Sequence, residues 1–116
     1  MSKTLSNIKL HLVFSTKCRQ RYIHGEHLQK RLYGYMKAVC HTHGCFLESI
    51  GGVEDHVHML VKLSTRISTS DLVRALKSNS SKMMKSAEGG CRDFAWQTGY
   101  GVFSVDSSIE DKVRKY

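Results

Sequence analysis

Two histidines separated by one residue, His56 and His58, have the spacing of a pair of metal ligands. Residues two positions apart on a β-strand point the same way, so two imidazoles at this spacing can bind one cation. The residue between them, Val57, would then face a hydrophobic core. Glu54 and Asp55 just upstream offer either a carboxylate ligand or a polar turn. In a chain with seven histidines the alternative is two unrelated surface histidines, so the spacing alone leaves metal binding open.

The final residue, Tyr116, lies on a predicted helix that starts near residue 108. Ile109, Val113 and Tyr116 are spaced i, i+4 and i+7 and therefore share one helix face. The tyrosine is expected to point toward the body of the protein or toward a partner. A tyrosine that only completes the core at the end of a helix is the alternative interpretation.

Basic residues form two groups that suit a nucleic acid. The chain has 18 Lys and Arg against 10 Asp and Glu, which gives a net charge of +8 and a pI of about 9.5. A small domain this basic is typical of proteins that bind a polyanion, although solvated basic surfaces are the alternative. The candidate DNA-contacting residues are Lys17, Arg19 and Arg21 after the first strand, and Arg74, Lys77, Ser81 and Lys82 on the second helix.

The four cysteines, at positions 18, 40, 45 and 91, contain no Cys-x-x-Cys motif. The run from Cys40 to Cys45 contains two further histidines, but its spacing matches no standard structural zinc site. Buried thiols at a helix–strand junction are the expected alternative. We expect reduced cysteines in a cytoplasmic protein.

Length and composition restrict the class of protein. A chain of 116 residues with 41% hydrophobic and 24% charged residues is expected to form one globular domain, over residues 1–116. No apolar run approaches the roughly 20 residues of a membrane span. The N-terminus lacks the apolar region and cleavage site of a secretory signal.

Periodicity predicts an α+β fold. Alternating patterns predict strands at residues 7–16, 45–51 and 56–63, and one or two short strands within 95–106. The strands at 45–51 and 56–63 would be joined by a glycine-rich turn, GGVED. Helical periodicity predicts helices at residues 26–43, from Ser68 onward, and from about residue 108.

The order β-α-β-β-α-β, followed by a helix, predicts a ferredoxin-like antiparallel sheet with the two inner helices on one face. The apolar side of residues 57–63 would lie beneath those helices. His56 and His58 would then lie on the open face. His11, on the corresponding side of the first strand, would either orient a phosphate or metal ligand or make a structural hydrogen bond.

Four segments of the chain, HLVFSTKCRQ, HVHMLV, DLVRALKSNSSKMM and WQTGYGVFSVDSS, together resemble one family in the same order. The chain resembles the single-tyrosine HUH transposases of bacterial insertion sequences and the related REP-associated tyrosine transposases. The resemblance implies an enzyme that cleaves and rejoins single-stranded DNA near hairpins. It implies Mg²⁺ or Mn²⁺ bound by His56 and His58, Tyr116 as the catalytic tyrosine, and a homodimer in which the tyrosine of one subunit serves the histidine pair of the other.

One departure from the family concerns a third metal ligand. The family usually has a glutamine one helical turn beyond the tyrosine, and the sequence ends at Tyr116. Either the natural chain continues or the protein lacks this ligand. A helix that ends on its nucleophile would fray, which favours a C-terminal truncation.

The residues and the resemblance both suit phosphoryl transfer. A cation bound by two imidazoles would polarise the scissile phosphate, and a tyrosine would form a 5′-phosphotyrosine with release of a 3′-OH. Imidazole ligands by themselves favour softer ions than Mg²⁺. Two alternatives remain: a non-catalytic nucleic-acid-binding module, and a metal-dependent phosphoesterase without a covalent step.

Overall fold

The elements of the protein follow the predicted order. A computed structural model describes residues 7–105, so the predicted third helix and Tyr116 lie outside the described residues. The elements are β1 (Ile8–Ser15), a short 3-10 turn (Lys17–Arg19), α1 (Gly25–Thr42), β2 (Phe46–Val53), β3 (His56–Leu63), α2 (Thr69–Ser86) and β4 (Gly101–Ser104).

The four strands form one antiparallel sheet in the order β2-β3-β1-β4. Alternation along β1 buries Leu10, Leu12 and Phe14 on one face, and in register Leu12 lies opposite Met59 and Phe14 opposite Val57. These side chains belong to the main hydrophobic cluster, which they share with both helices. The predicted α+β class, with the helices on one face of an antiparallel sheet, is confirmed.

The start of α2 and the end of α1 each carry the residue type that their geometry requires. The hydroxyl of Ser68 accepts a hydrogen bond from the Asp71 amide at 3.1 Å and so caps α2. Just beyond the C-terminus of α1, Gly44 has a φ of 75°. The amide of Gly44 donates to the His41 carbonyl, and the amide of Cys45 donates to the Cys40 carbonyl. This pair of bonds is a Schellman motif, which needs a glycine in the left-handed region.

The hairpin between β2 and β3 is tighter than predicted. Gly51 and Gly52 lie within β2, opposite His58 and Val57, and only Glu54 and Asp55 form the turn. The reason is close backbone packing, since a Cβ on Gly52 would overlap the carbonyl oxygen of His56. The glycines were expected to form the turn. Instead they lie within β2, where the lack of a side chain lets the two strands pack closely.

The segment before β4 forms little regular β-sheet pairing. Trp96 forms an isolated bridge with Thr16, and β4 itself covers only Gly101–Ser104. Between them Gly99 has a φ of 87°, which turns the chain. No helix among residues 7–105 has the length and apolar character needed to cross a membrane.

Candidate metal and DNA site

His56 and His58 lie on the face of the sheet opposite the helices, which we call the histidine face. Val57 between them is fully buried in the core, and both histidines are half-buried. Their ring centroids are 6.4 Å apart. The predicted orientation of this strand is therefore confirmed. The histidine face is not uniformly open, because Leu60 on the same face is fully buried.

A third histidine lies beside the pair but does not complete a three-ligand metal site among residues 7–105. His11 of β1 lies on the histidine face with its ring centroid 5.9 Å from that of His58, in an edge-to-face arrangement. Burial lowers the pKa of His11 and of His58, and for His58 the neighbouring His11 and His56 lower the pKa further. Both imidazoles therefore favour the neutral form, and neutral imidazole is the form that ligates a metal.

A carboxylate and a guanidinium orient His56. Nδ1 of His56 lies 2.9 Å from Oδ1 of Asp55, and Nε of Arg19 donates to Oδ2 of Asp55 at 3.1 Å. The hydrogen bond from His56 lowers the pKa of Asp55 most, and the hydrogen bond from Arg19 lowers it further. This carboxylate is therefore ionised and can only accept hydrogen bonds. Nδ1 of His56 must then carry the proton, which leaves Nε2 with a free lone pair. Carboxylate–histidine pairs of this kind fix the tautomer of metal-ligating histidines.

The histidine pair suits a divalent cation as two nitrogen ligands. Among residues 7–105 no three His, Cys, Asp or Glu side chains come together as a metal site. The pair would therefore leave most coordination positions to oxygen donors such as water or phosphate. An open coordination sphere of this kind is what a cation needs in order to engage a substrate phosphate.

The Cys40–Cys45 run is buried structure. Cys40 and Cys45 are both buried, and Sγ of Cys45 accepts a hydrogen bond from the Ser64 amide. Burial raises the pKa of Cys40 to about 12, with a smaller contribution from Cys45. A thiol with so high a pKa is a poor metal ligand. The buried-thiol interpretation therefore suits these residues better than a zinc site.

The first basic group lies at the end of the sheet that carries the histidines. Ser15 is opposite His56 in register, and the amide of Thr16 donates to the Asp55 carbonyl at 2.9 Å. The basic segment, residues 17–21, follows at once, and its basic side chains are exposed. Arg19 forms an ion pair with Asp55, and Lys17 and Arg21 are the other exposed cations of this segment.

The second basic group lies on the helical side of the sheet. Arg74 and Lys82 are exposed on α2, Arg74 is paired with Asp71 at 3.2 Å, and Ser81 is half-buried. Because α2 covers the core face, these residues are not brought together with His56 and His58. Their contact with DNA stays a prediction.

Lys77 has a structural partner that the sequence did not reveal. Its ammonium donates to the carbonyl of Gln97 at 2.8 Å and to that of Gly99, and it lies 6.0 Å from the ring centroid of Tyr100. Burial lowers its pKa. Lys77 therefore holds the loop before β4, and a phosphate would have to compete with two backbone carbonyls for it.

Two aromatic residues near the site were missed by sequence analysis. Phe103 of β4 lies opposite His11, with ring centroids 6.0 Å apart, and Tyr100 precedes the same strand. They are 58% and 40% exposed, which is unusual for large rings beside a cluster of polar groups. The alternation of GVFS, set in register with HLV of β1, is the signal that would have placed Phe103 beside His11.

The antiparallel sheet with two helices on one face is a fold with solved counterparts. The crystal structure of a Deinococcus radiodurans protein classed as a transposase matches all of this chain and 95% of that one, with a TM-score of 0.78 at 22% identity. A REP-associated tyrosine transposase bound to a REP hairpin matches 97% of this chain and 67% of that one, with a TM-score of 0.68 at 11% identity. The fold is therefore that of the tyrosine transposases.

Sequence comparison identifies the family. The family described as "Transposase IS200 like" matches residues 4–116, so the chain belongs to the IS200-like transposases. It is 28% identical to the transposase of insertion sequence element IS200 from Salmonella typhimurium, over all of this chain and 78% of that protein. It is 23% identical to the ISDra2 transposase TnpA of Deinococcus radiodurans, over 94% of this chain and 81% of that protein.

Proposed function

We propose that this protein is a metal-dependent transposase that cleaves and rejoins single-stranded DNA through a 5′-phosphotyrosine intermediate. The observation that carries the proposal is the His56–His58 pair on an IS200-like fold, with the tautomer of His56 fixed by Asp55 and with a basic segment beside the pair. Single-stranded DNA hairpins are the proposed substrate, in keeping with the net charge of +8 and with the hairpin bound by the REP-associated relative.

His56 and His58 would hold the divalent cation, Mg²⁺ or Mn²⁺, through neutral imidazole nitrogens. When bound, the cation would supply Lewis-acid polarisation of the scissile phosphate and neutralise charge on the leaving oxygen. Lys17 and Arg21 would bind the flanking phosphates and keep the strand across the histidine face. Asp55 would keep the proton on Nδ1 of His56 throughout.

Tyr116 would supply the nucleophile. Its hydroxyl oxygen would form a bond to phosphorus while the bond from phosphorus to the 3′-oxygen breaks, and the hydroxyl proton would pass through water to the leaving 3′-oxygen. The products would be a 5′-phosphotyrosine and a free 3′-OH. Because one phosphodiester is exchanged for another, the 3′-OH of a second strand can later reverse the step without an external source of energy.

A covalent adduct is the decisive test of this proposal. The full chain is incubated with labelled hairpin DNA and Mn²⁺ and run on a denaturing gel. We expect a slowly migrating protein–DNA band that Tyr116→Phe abolishes and that Tyr35→Phe, on the exposed surface of α1, leaves intact. Cleavage without an adduct would show a phosphoesterase, and binding without cleavage would show a non-catalytic binding module. Adduct formation by Tyr116→Phe would assign the nucleophile to another tyrosine.

Replacement of either histidine tests the metal site. His56→Ala and His58→Ala are expected to lower the cleavage rate at least about 100-fold, since loss of even an outer partner of a metal ligand costs 10- to 100-fold. Both variants should keep the fold, because the two side chains lie outside the main core cluster. His41→Ala, an exposed histidine at the end of α1, is the matched control and should cleave normally. Equal cleavage by all three variants would refute the assignment.

The proposed dimer has a complementation test. If the tyrosine of one subunit serves the histidines of the other, a dimer of His56→Ala/His58→Ala protein with Tyr116→Phe protein has one complete site. Coexpressed subunits with different affinity tags allow that mixed dimer to be isolated. Recovery of adduct formation would support sharing of residues between subunits. A purified mixed dimer without activity would exclude it.

A further inference from the structure

A recess of about 400 Å³ lies on the histidine face next to β4. Its lining includes Val13 and Ser15 of β1, Gln97 and Tyr100 of the preceding loop, and Gly101 and Phe103 of β4. The volume is within the range of small-molecule sites and is large enough for one planar ring system. None of the functions assigned above uses this recess.

The lining of the recess is mainly apolar. The rings of Tyr100 and Phe103 and the side chain of Val13 contribute to it. Gly101 has no side chain to fill it, and a Cβ there would lie 3.3 Å from the Phe103 ring and 3.5 Å from Cβ of Val13. The absence of a side chain at position 101 therefore keeps the space between Val13 and the Phe103 ring free.

The recess adjoins the histidine pair. Val13 lies opposite His58 in register and Ser15 opposite His56, on the same face of the sheet. Neighbouring strands are about 4.8 Å apart, so the recess begins one strand away from the proposed metal ligands. A group bound in the recess would therefore be a near neighbour of a phosphate held at the histidines.

The wall formed by the loop is held in place from several directions. The Gln97 amide donates to the Ser15 carbonyl at 2.7 Å, and Lys77 from α2 donates to the carbonyls of Gln97 and Gly99. The Cys18 amide donates to Oε1 of Gln97 at 3.4 Å, which ties the loop to the basic segment. These hydrogen bonds from β1, α2 and the basic segment hold the loop in place, so the recess is preformed.

We propose that this recess binds one unpaired nucleobase of the DNA strand, adjacent to the phosphate engaged at His56 and His58. The inference rests on the proposed function and adds a subsite to it. Tyr100 and Phe103 provide faces for stacking, which is tolerant of base identity because every base has a π-face. Ser15 and Gln97 provide polar groups for the base edge. The basic segment binds the phosphates that bracket the base, so charge and stacking act on the same nucleotide.

The test compares two single-stranded probes of equal charge, decathymidine and an abasic decamer with the same sugar–phosphate backbone. Binding of each to the full chain is measured by fluorescence anisotropy without metal, so that cleavage does not interfere. Wild type is expected to bind decathymidine more tightly than the abasic strand, by roughly 5- to 150-fold for a single stacked base. Tyr100→Ala, Phe103→Ala and Gly101→Val should each reduce this ratio at least about 5-fold while the affinity for the abasic strand stays the same.

Phe46→Ala is the matched control. Phe46 is an equally exposed aromatic residue, 60% accessible, on the opposite edge strand β2, and its replacement should leave both affinities unchanged. Gly101→Val keeps both rings and fills the recess, so it separates loss of space from loss of the fold of β4. Circular dichroism and thermal melting establish that each variant is folded.

Four results would overturn the proposal. Equal ratios for wild type and for the folded recess variants would show that the bases stack elsewhere. Loss of affinity for both probes in parallel would show a structural role only. A change in oligomeric state on size-exclusion chromatography, with an unchanged ratio, would make the recess a contact between two copies of this chain. Failure of wild type to bind either strand would overturn the proposed function itself, which the adduct assay checks independently.

Discussion

Nδ1 of His56 lies 2.9 Å from Oδ1 of Asp55, and this contact decides which nitrogen of the imidazole keeps a free lone pair. The two residues are adjacent in sequence, at the point where the β2–β3 turn enters β3. Arg19, from the segment after β1, holds the second carboxylate oxygen at 3.1 Å. The contact therefore joins the turn, the strand that carries the histidine pair and the basic segment in one hydrogen-bonded group.

We predict that Asp55→Ala lowers the affinity for Mn²⁺ about 10- to 100-fold, because an unoriented His56 samples the wrong tautomer and rotamer. Asp55→Asn should lose less, since its amide oxygen still accepts from Nδ1. Isothermal titration calorimetry with Mn²⁺ measures both affinities directly, without DNA. Glu54→Gln, at the other position of the same turn, is the control and should bind Mn²⁺ as wild type does. If Asp55→Ala and Glu54→Gln bind equally well, Asp55 has no orienting role.

The close approach of β2 to β3 gives a second prediction. Gly52→Ala should reduce the free energy of unfolding by about 1–3 kcal/mol, since its Cβ would overlap the carbonyl oxygen of His56 and the strands must separate. Mn²⁺ affinity should fall as well, because the displaced backbone carries a proposed ligand. Gly34→Ala on the surface of α1, where a Cβ meets nothing within 4 Å, should instead stabilise by about 0.5–1 kcal/mol. Urea unfolding distinguishes the two, and an unchanged midpoint for Gly52→Ala would contradict the predicted overlap.

A third prediction concerns Tyr33 on α1. Its hydroxyl oxygen is buried and has no hydrogen-bond partner within the part of the chain that the structure describes. Tyr33→Phe is therefore expected to stabilise by about 1 kcal/mol, because an unsatisfied buried hydroxyl costs that much or more. Tyr35→Phe removes a hydroxyl from a side chain that is 41% exposed and should be neutral. Chemical unfolding at neutral pH measures both, and a destabilised Tyr33→Phe would show that the hydroxyl is satisfied.

The same residue predicts a dependence on pH. Burial raises the pKa of Tyr33 above that of a free tyrosine, which is about 10. Above that pH the unfolded chain releases this proton while the folded chain retains it, so stability falls as pH rises toward the folded pKa. Tyr33→Phe should remove this part of the alkaline loss, and Tyr35→Phe should retain it. Equal alkaline slopes for the two variants would assign the effect to other groups.

The fold was largely predictable because its determinants are local and periodic. Leu10, Leu12 and Phe14 alternate in β1 as a half-buried strand must, and Ser68 and Gly44 mark helix ends with residue types that their geometry requires. The side of β3 that carries His56 and His58 followed from the same alternation. The GGVED turn was misplaced because a glycine suits both a turn and a close strand contact, and only the partner strand distinguishes them.

The site was less predictable because it depends on contacts between distant residues. Nothing near Lys77 in sequence indicates that its ammonium will donate to the carbonyls of Gln97 and Gly99. From sequence alone, Lys77 was therefore grouped with the surface cations. Arg19, in the turn after β1, likewise has a partner distant in sequence, Asp55 of the β2–β3 turn. The sequence was enough to divide the basic residues into two groups. The layer of the fold on which each group lies depends on how α2 packs against the sheet, and the sequence alone did not reveal it.

The two basic groups give the final prediction, because they lie on different layers of the fold. Lys17 and Arg21 border the histidine face, so Lys17→Gln/Arg21→Gln should weaken binding of decathymidine and reduce its salt slope by about 1.4, at roughly 0.7 per phosphate contact of a single strand. Arg74→Gln/Lys82→Gln, on the helical layer, should leave the slope for that short strand unchanged.

With a longer hairpin, whose duplex stem can reach around the sheet, Arg74→Gln/Lys82→Gln should reduce the slope by about 1.8, at roughly 0.9 per duplex phosphate. Affinities of wild type and of both double variants for each probe, measured over a series of salt concentrations, give these slopes. An unchanged hairpin slope for Arg74→Gln/Lys82→Gln would remove α2 from the DNA-binding surface, and an unchanged decathymidine slope for Lys17→Gln/Arg21→Gln would separate the basic segment from the histidine face as a binding unit.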